Sequence, residues 1–228
     1  MTRITEQLAR LRARIDAAAR SAGRDPAEIR ILAVSKRQPP ALVQAAIEAG
    51  VTNLGENYLQ DALARIEACG PGPVWHFIGR LQSNKSRSVA EHFNWVETLD
   101  NQRLADRLSS QRPADQAPLQ VLIQVAPRGG SGRGGVPPED VEALAAHVAQ
   151  LPRLKLRGLM IMPMPDLADA ELRREFAAGR ELLAKLRAAG HPDLDTLSMG
   201  MSQDLEAAVA EGSTQLRIGT DLFGPRDN

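Results

Sequence analysis

The stretch ILAVSKRQPP, residues 31–40, runs from apolar residues into Ser35 and Lys36 and is then stopped by Pro39 and Pro40. A lysine at the mouth of a buried strand is either a solvated strand end or a chemical group. Lysine is scarce in this chain: of 28 basic residues only Lys36, Lys85, Lys155 and Lys185 are lysine. Arginine cannot lose its proton in a protein, whereas lysine can become a neutral amine and attack a carbonyl to form a Schiff base. Lys36 is therefore the first candidate for chemistry.

Two further stretches offer an anion site. In SMGMSQDLEAA, Ser202 stands where a helix N-cap belongs, followed by Asp204 and Glu206 in the expected first turn. Capping alone would explain it. In LRIGTDLFG, a strand ends in Gly219 and Thr220, offering backbone amides and a hydroxyl beside the Ser202 loop. A phosphate suits such a cradle, because glycine admits close backbone approach and a helix N-terminus favours an anion.

Other motifs carry less. GGSGRGG, residues 129–135, matches a dinucleotide fingerprint at Gly130, Gly132 and Gly135, but Pro137-Pro138 precedes the next helix and no carboxylate follows at the right spacing. It reads as a surface loop. His76, in VWHFIG, has no second His or Cys at ligand spacing; it reads as a satisfied structural histidine, and no metal is expected. LQSNKSR, residues 81–87, reads as a helix start with some site contact. Met160, Met162, Met164, Met199 and Met201 are expected to be mainly core filling, with Met162 and Met199 lining the mouth.

Short strand-like runs alternate with helical patterns and must position these groups. The expected strands are 30–35, 52–56, 74–79, 94–99, 119–126, 154–162, 194–200 and 214–219. The helices between them are expected at 41–50, 58–69, 83–92, 101–111, 138–151, 168–189 and 202–212. Ile4, Leu8, Leu11 and Ile15 share one face of an extra N-terminal helix. Eight strand–helix units imply an α/β fold, a single (β/α)8 TIM-type barrel over 1–228, with a doubly wound open sheet as the alternative. In such a barrel the strand C-termini form the functional face, and phosphate sites recur after the seventh and eighth strands. Ser202, Gly219 and Thr220 fall in those two loops.

Composition narrows the classes. The 28 basic and 28 acidic residues cancel, which argues against a nucleic-acid binder. The single Cys69 permits no internal disulfide, and no run has membrane length or signal-peptide character, so a cytoplasmic protein without membrane contact is expected.

The strings AVSK, GENY, WHFIGRLQSNK, LRGLMIMP, SMGMSQDLEAAVAEGST and RIGTDLFGPR together resemble the pyridoxal phosphate homeostasis protein family. The resemblance runs from about residue 30 to the last residues. It implies a monomeric barrel similar to the N-terminal domain of alanine racemase, which binds the vitamin B6 cofactor pyridoxal 5'-phosphate (PLP) without established turnover. Transferred to this sequence, it implies PLP held as a covalent imine on Lys36 and a phosphate bound by Ser202, Gly219 and Thr220. Arg217 is placed beside the pyridine ring, and Asn57 in the pocket. Arg133 departs from the family pattern, since relatives often carry a lysine in that loop. PLP-dependent apo-enzymes are the implied recipients. An alternative is a PLP-dependent racemase or decarboxylase. A two-base racemase needs a second acid/base opposite the lysine, however, and Tyr58 is the one tyrosine. A lysine-imine aldolase on the same barrel is a third reading.

Overall fold

The computed structural model describes residues 2–126 and 134–224. Eight parallel strands close into a barrel in sequence order. They are β1 (Arg30–Val34), β2 (Asn53–Glu56), β3 (Val74–Phe77), β4 (Trp95–Leu99), β5 (Leu119–Val125), β6 (Leu154–Ile161), β7 (Thr196–Ser198) and β8 (Gln215–Ile218). Closure is made by β1 on β8, with Arg30 opposite Gln215 and Ala33 opposite Ile218. The open doubly wound sheet is thereby excluded.

The helices around the described barrel are α1 (Arg3–Ser21), α2 (Pro40–Glu48), α3 (Leu59–Cys69), α4 (Ser86–His92), α5 (Gln102–Gln111), α6 (Val141–Val148), α7 (Asp169–Ala188), α8 (Leu205–Ala210) and α9 (Thr220–Phe223). Helix α1 forms for local reasons. Thr2 caps it by accepting from the Thr5 amide, and Ile4, Leu8, Leu11, Ile15 and Ala19 make one buried stripe. Its other face carries Arg14, which binds Glu206 on α8 and, at 2.6 Å, Asp221 on α9. The N-terminal helix thus ties together the two elements that follow β7 and β8.

The main core lies between sheet and helices. A small separate cluster of Trp95, Leu122 and Met160 lies apart from it. Alternation on β4 places Val96 in the main core and Trp95 with Glu97 on the opposite, inward face. Much of that interior is polar. Glu97 is fully buried and accepts from His76 Nδ1 (2.7 Å), Gln215 Nε2 (2.7 Å) and Ser198 Oγ (2.7 Å). Towards the strand N-termini, the guanidiniums of Arg30 and Arg157 stack over Trp95 at 5.4 and 5.1 Å from its ring centre.

Expected and observed elements differ mainly at their ends. The expected helix 83–92 begins as a short 3-10 turn, Ser83–Lys85, before α4. The expected strand 194–200 shrinks to Thr196–Ser198, because Gly200 turns the chain away at φ 91°. A Cβ there would stand 2.4 Å from Ala208 Cβ, so only glycine fits.

Candidate functional site

At the C-terminal end of the strands, a cavity of about 370 Å³ is lined by Lys36, Asn57, Ser202, Gln203, Arg217, Gly219 and Thr220, with Val34, Ile78, Met160, Met162, Met201 and Asp221 completing the wall. Its size suits a small molecule. Six of the seven residues expected at the site therefore converge. Met199 does not: its side chain is fully buried in the outer core, because alternation on β7 turns Ser198 inward and Met199 out. Met160 and Met162 line the cavity as well, and Met201, expected as core filling, is 44 % exposed at its mouth.

Lys36 lies two residues past the end of β1 and is half-buried. Asn57 follows β2; its Oδ1 is buried with no hydrogen-bond partner. Arg217 comes from β8 and is 4 % exposed. Its Nη1 donates to the Ser198 carbonyl (2.8 Å) and Oγ (3.0 Å), and its Nη2 to the Ile161 carbonyl (2.9 Å). A guanidinium has five N–H donors. Two of them, on Nε and Nη2, have no acceptor among the described residues. Burial lowers the pKa of Arg217, with Glu97 acting against it, and the group stays cationic.

The cradle differs from its expected form in one respect. Ser202 is not a helix cap. Helix α8 starts only at Leu205, since Asp204 accepts from the Met201 amide and keeps residues 201–204 in a turn. Ser202 Oγ is free to reach across and accept from the Asp221 amide at 3.3 Å, which joins the β7 loop to the first turn of α9. The Leu222 amide bonds to Gly219. The amides of Ser202, Gln203, Gly219 and Thr220 are left with no acceptor among the described residues. Four unspent donors and two hydroxyls thus belong to residues that line the cavity. Such a group of amides is an anion site.

His76 is satisfied as expected. Nδ1 meets Glu97, Nε2 lies 3.1 Å from Asn53 Oδ1, and the ring stacks on Trp95 at 5.0 Å. The 81–87 loop lies elsewhere. Arg80, Leu81, Gln82, Ser83 and Lys85 line a wider groove beside the cavity, with Arg37 and Tyr58, and meet the cavity only through Asn57. Gly130, Gly132 and Arg133 fall outside the described residues.

Sequence reasoning missed Glu97 and Gln215, and the part Ser198 plays with them, in the polar layer beneath Arg217. The signal was a glutamate on the same strand face as Trp95, visible only once the inward face is known. It also missed the contacts of Ser35, Glu56 and Arg65 behind Lys36.

The family described as alanine racemase, N-terminal domain, matches residues 7–227. The pyridoxal phosphate homeostasis protein of Pseudomonas aeruginosa is 52 % identical, covering 100 % of this chain and 97 % of that protein. The chain belongs to the pyridoxal phosphate homeostasis protein family. The Escherichia coli member is 48 % identical over 100 % of this chain and 98 % of its own. PipY from Synechococcus elongatus, solved with PLP bound, superposes with a TM-score of 0.85 at 36 % identity. That superposition covers 97 % of this chain and 100 % of PipY. As in the rest of the homeostasis protein family so matched, the resemblance spans the whole barrel and both cradle loops.

Proposed function

We infer that this protein binds PLP as a Schiff base on Lys36 and stores, buffers or delivers it in the cytoplasm to PLP-dependent apo-enzymes, acting as a monomer without catalytic turnover. One observation carries the reading: a single cavity joins a half-buried lysine to four unspent backbone amides. PLP would supply an aldehyde for Lys36 and a phosphate for Ser202, Gln203, Gly219 and Thr220. The two remaining donors of Arg217 and the orphan Asn57 Oδ1 suit the polar edge of a pyridine ring.

The quiet chemistry follows from the same residues. A carboxylate at the ring nitrogen keeps it protonated and makes the ring an electron sink. Arg217 is a cation there, and a nearby cation disfavours protonation. The one carboxylate among the described residues lining the cavity, Asp221, is held by Arg14 at 2.6 Å. Tyr58 lies in the neighbouring groove, with Arg37 stacked 5.5 Å over its ring. No second base faces the cavity among the described residues.

The test is direct. After PLP addition and borohydride reduction, mass spectrometry should place the label on Lys36, and Lys36→Ala should carry none. Dominant labelling of Lys85, Lys155 or Lys185 refutes the assignment. Exchange of the α-proton of alanine at rates typical of PLP enzymes would refute the carrier reading in favour of an enzyme.

A further inference from the structure

The loop that presents Lys36 is a tight turn held from behind. The Gln38 amide donates to the Ser35 carbonyl at 3.1 Å, which puts Lys36 and Arg37 at its two corners. Arg37 has φ 60°, a left-handed conformation that glycine adopts freely and arginine does not. Something must hold it there.

The holding group is an ion pair on the side of the sheet away from the cavity. Glu56, at the end of β2, is fully buried. Its Oε1 accepts from Ser35 Oγ at 2.6 Å and from Arg65 Nη1 of α3 at 2.8 Å. Arg65 Nη2 in turn donates to the Gln38 carbonyl at 3.0 Å. Both ends of the turn are thus tied to one ion pair, while the Ser35 amide is tied to Gly55 on β2 at 3.0 Å. Neither Glu56 nor Arg65 lines the cavity.

Stability alone explains this pair badly. Glu56 Oε2 and Arg65 Nε are buried without partners, and burial raises the Glu56 pKa against the pull of Ser35 and Arg65. A buried, incompletely bonded ion pair is commonly no better for stability than apolar packing, and its best use is to fix a geometry. We propose that Glu56 and Arg65 are positioning residues whose ion pair locks the Ser35–Gln38 turn, so that the Lys36 amine is held towards the cavity. The proposal rests on Lys36 as the reacting lysine, and its test separates the two.

Three variants serve: Arg65→Met, Arg65→Lys and Ser35→Ala. The last removes one hydrogen bond of the clamp with the least risk to folding. On ligand-free protein, acetic anhydride labelling compares the rate at Lys36 with those at Lys85, Lys155 and Lys185. With ligand, the rate of Schiff-base formation with PLP is set against affinity for pyridoxamine 5'-phosphate, which keeps ring and phosphate but has no aldehyde. Arg65→Met should slow Schiff-base formation by about tenfold to a hundredfold, as expected for a misplaced reacting group. It should also change Lys36 acetylation against the three internal references and leave pyridoxamine phosphate affinity within about twofold, since that ligand needs no aligned amine. Arg65→Lys should recover part of the rate, and Ser35→Ala should shift it in the same direction as Arg65→Met. Unchanged rates in Arg65→Met and Ser35→Ala overturn the proposal. So does an equal loss of both ligands, which would make the pair mere scaffold. Should the wild-type label map to another lysine, the reading of Lys36 fails, and the acetylation ratios still decide whether the clamp sets its presentation.

Discussion

Arg217 shows how one residue can be read two ways until its bonds are counted. It makes no ion pair among the described residues; three of its five donors are spent on the Ser198 and Ile161 carbonyls and the Ser198 hydroxyl, and two are left. Glutamate at this position would point a carboxylate at those oxygens and at Glu97, so a neutral donor is the better probe. Arg217→Gln leaves at least one buried carbonyl without its donor and should cost about 1–3 kcal/mol in urea unfolding. The same variant should weaken PLP binding while Lys36 still takes the borohydride label. If stability and affinity are both unchanged, Arg217 touches neither the carbonyls nor the ligand in solution.

At the level of elements, the proposed phosphate cradle belongs to two loops stitched together rather than to one helix start. Ser202 bridges to the α9 turn, and Arg14 of α1 bridges α8 to α9. Ser202→Ala therefore removes the stitch together with the proposed phosphate contact, whereas Thr220→Ala removes only a hydroxyl. The double variant should lose about 1.5–3 kcal/mol of PLP affinity for each charge-assisted hydrogen bond, with the single Ser202 change the larger. Titration of ligand-free protein measures both; equal and full affinity would place the phosphate elsewhere. The barrel and four cavity residues were legible because strand periodicity, loop position and residue type agree at Lys36, Ser202, Gly219 and Thr220, while Asn57 and Arg217 came from the family resemblance. Met199 was misplaced because a three-residue strand gives too little alternation to set its face. Glu97 was invisible because its partner Gln215, 118 positions away, meets it only after closure. Glu56 and Arg65 are nine residues apart, but their pairing depends on how α3 docks against β2, which periodicity does not give.

The whole molecule carries an unusually polar barrel interior, and that gives it a pH signature. Burial pushes the His76 imidazole below its ordinary 6.5, despite the hydrogen bond to Glu97. For Glu97, burial acts upward, but the bonds from His76 and Ser198 and the charge of Arg217 prevail and hold its carboxyl low. Below about pH 6.5 the unfolded chain takes up a proton at His76 that the folded chain refuses. Stability from this site is thus complete above that pH and declines beneath it, by at most about 1.4 kcal/mol per pH unit. The share from Glu97 persists lower and is lost only as the medium turns acidic enough to protonate it. Urea unfolding at pH 7.5 and 5.5 should show the loss, and His76→Gln should flatten it; an identical slope in the variant would assign the effect to other groups. Closure has one more consequence. Strands β1 and β8 join residues 185 positions apart, such as Arg30 and Gln215. A ribosome that has finished seven strands has made Lys36 but not Gly219, Thr220 or the edge that β1 must meet. Nascent and prematurely terminated chains hence have no cavity to fill, and ligand capture begins only after synthesis has passed the eighth strand.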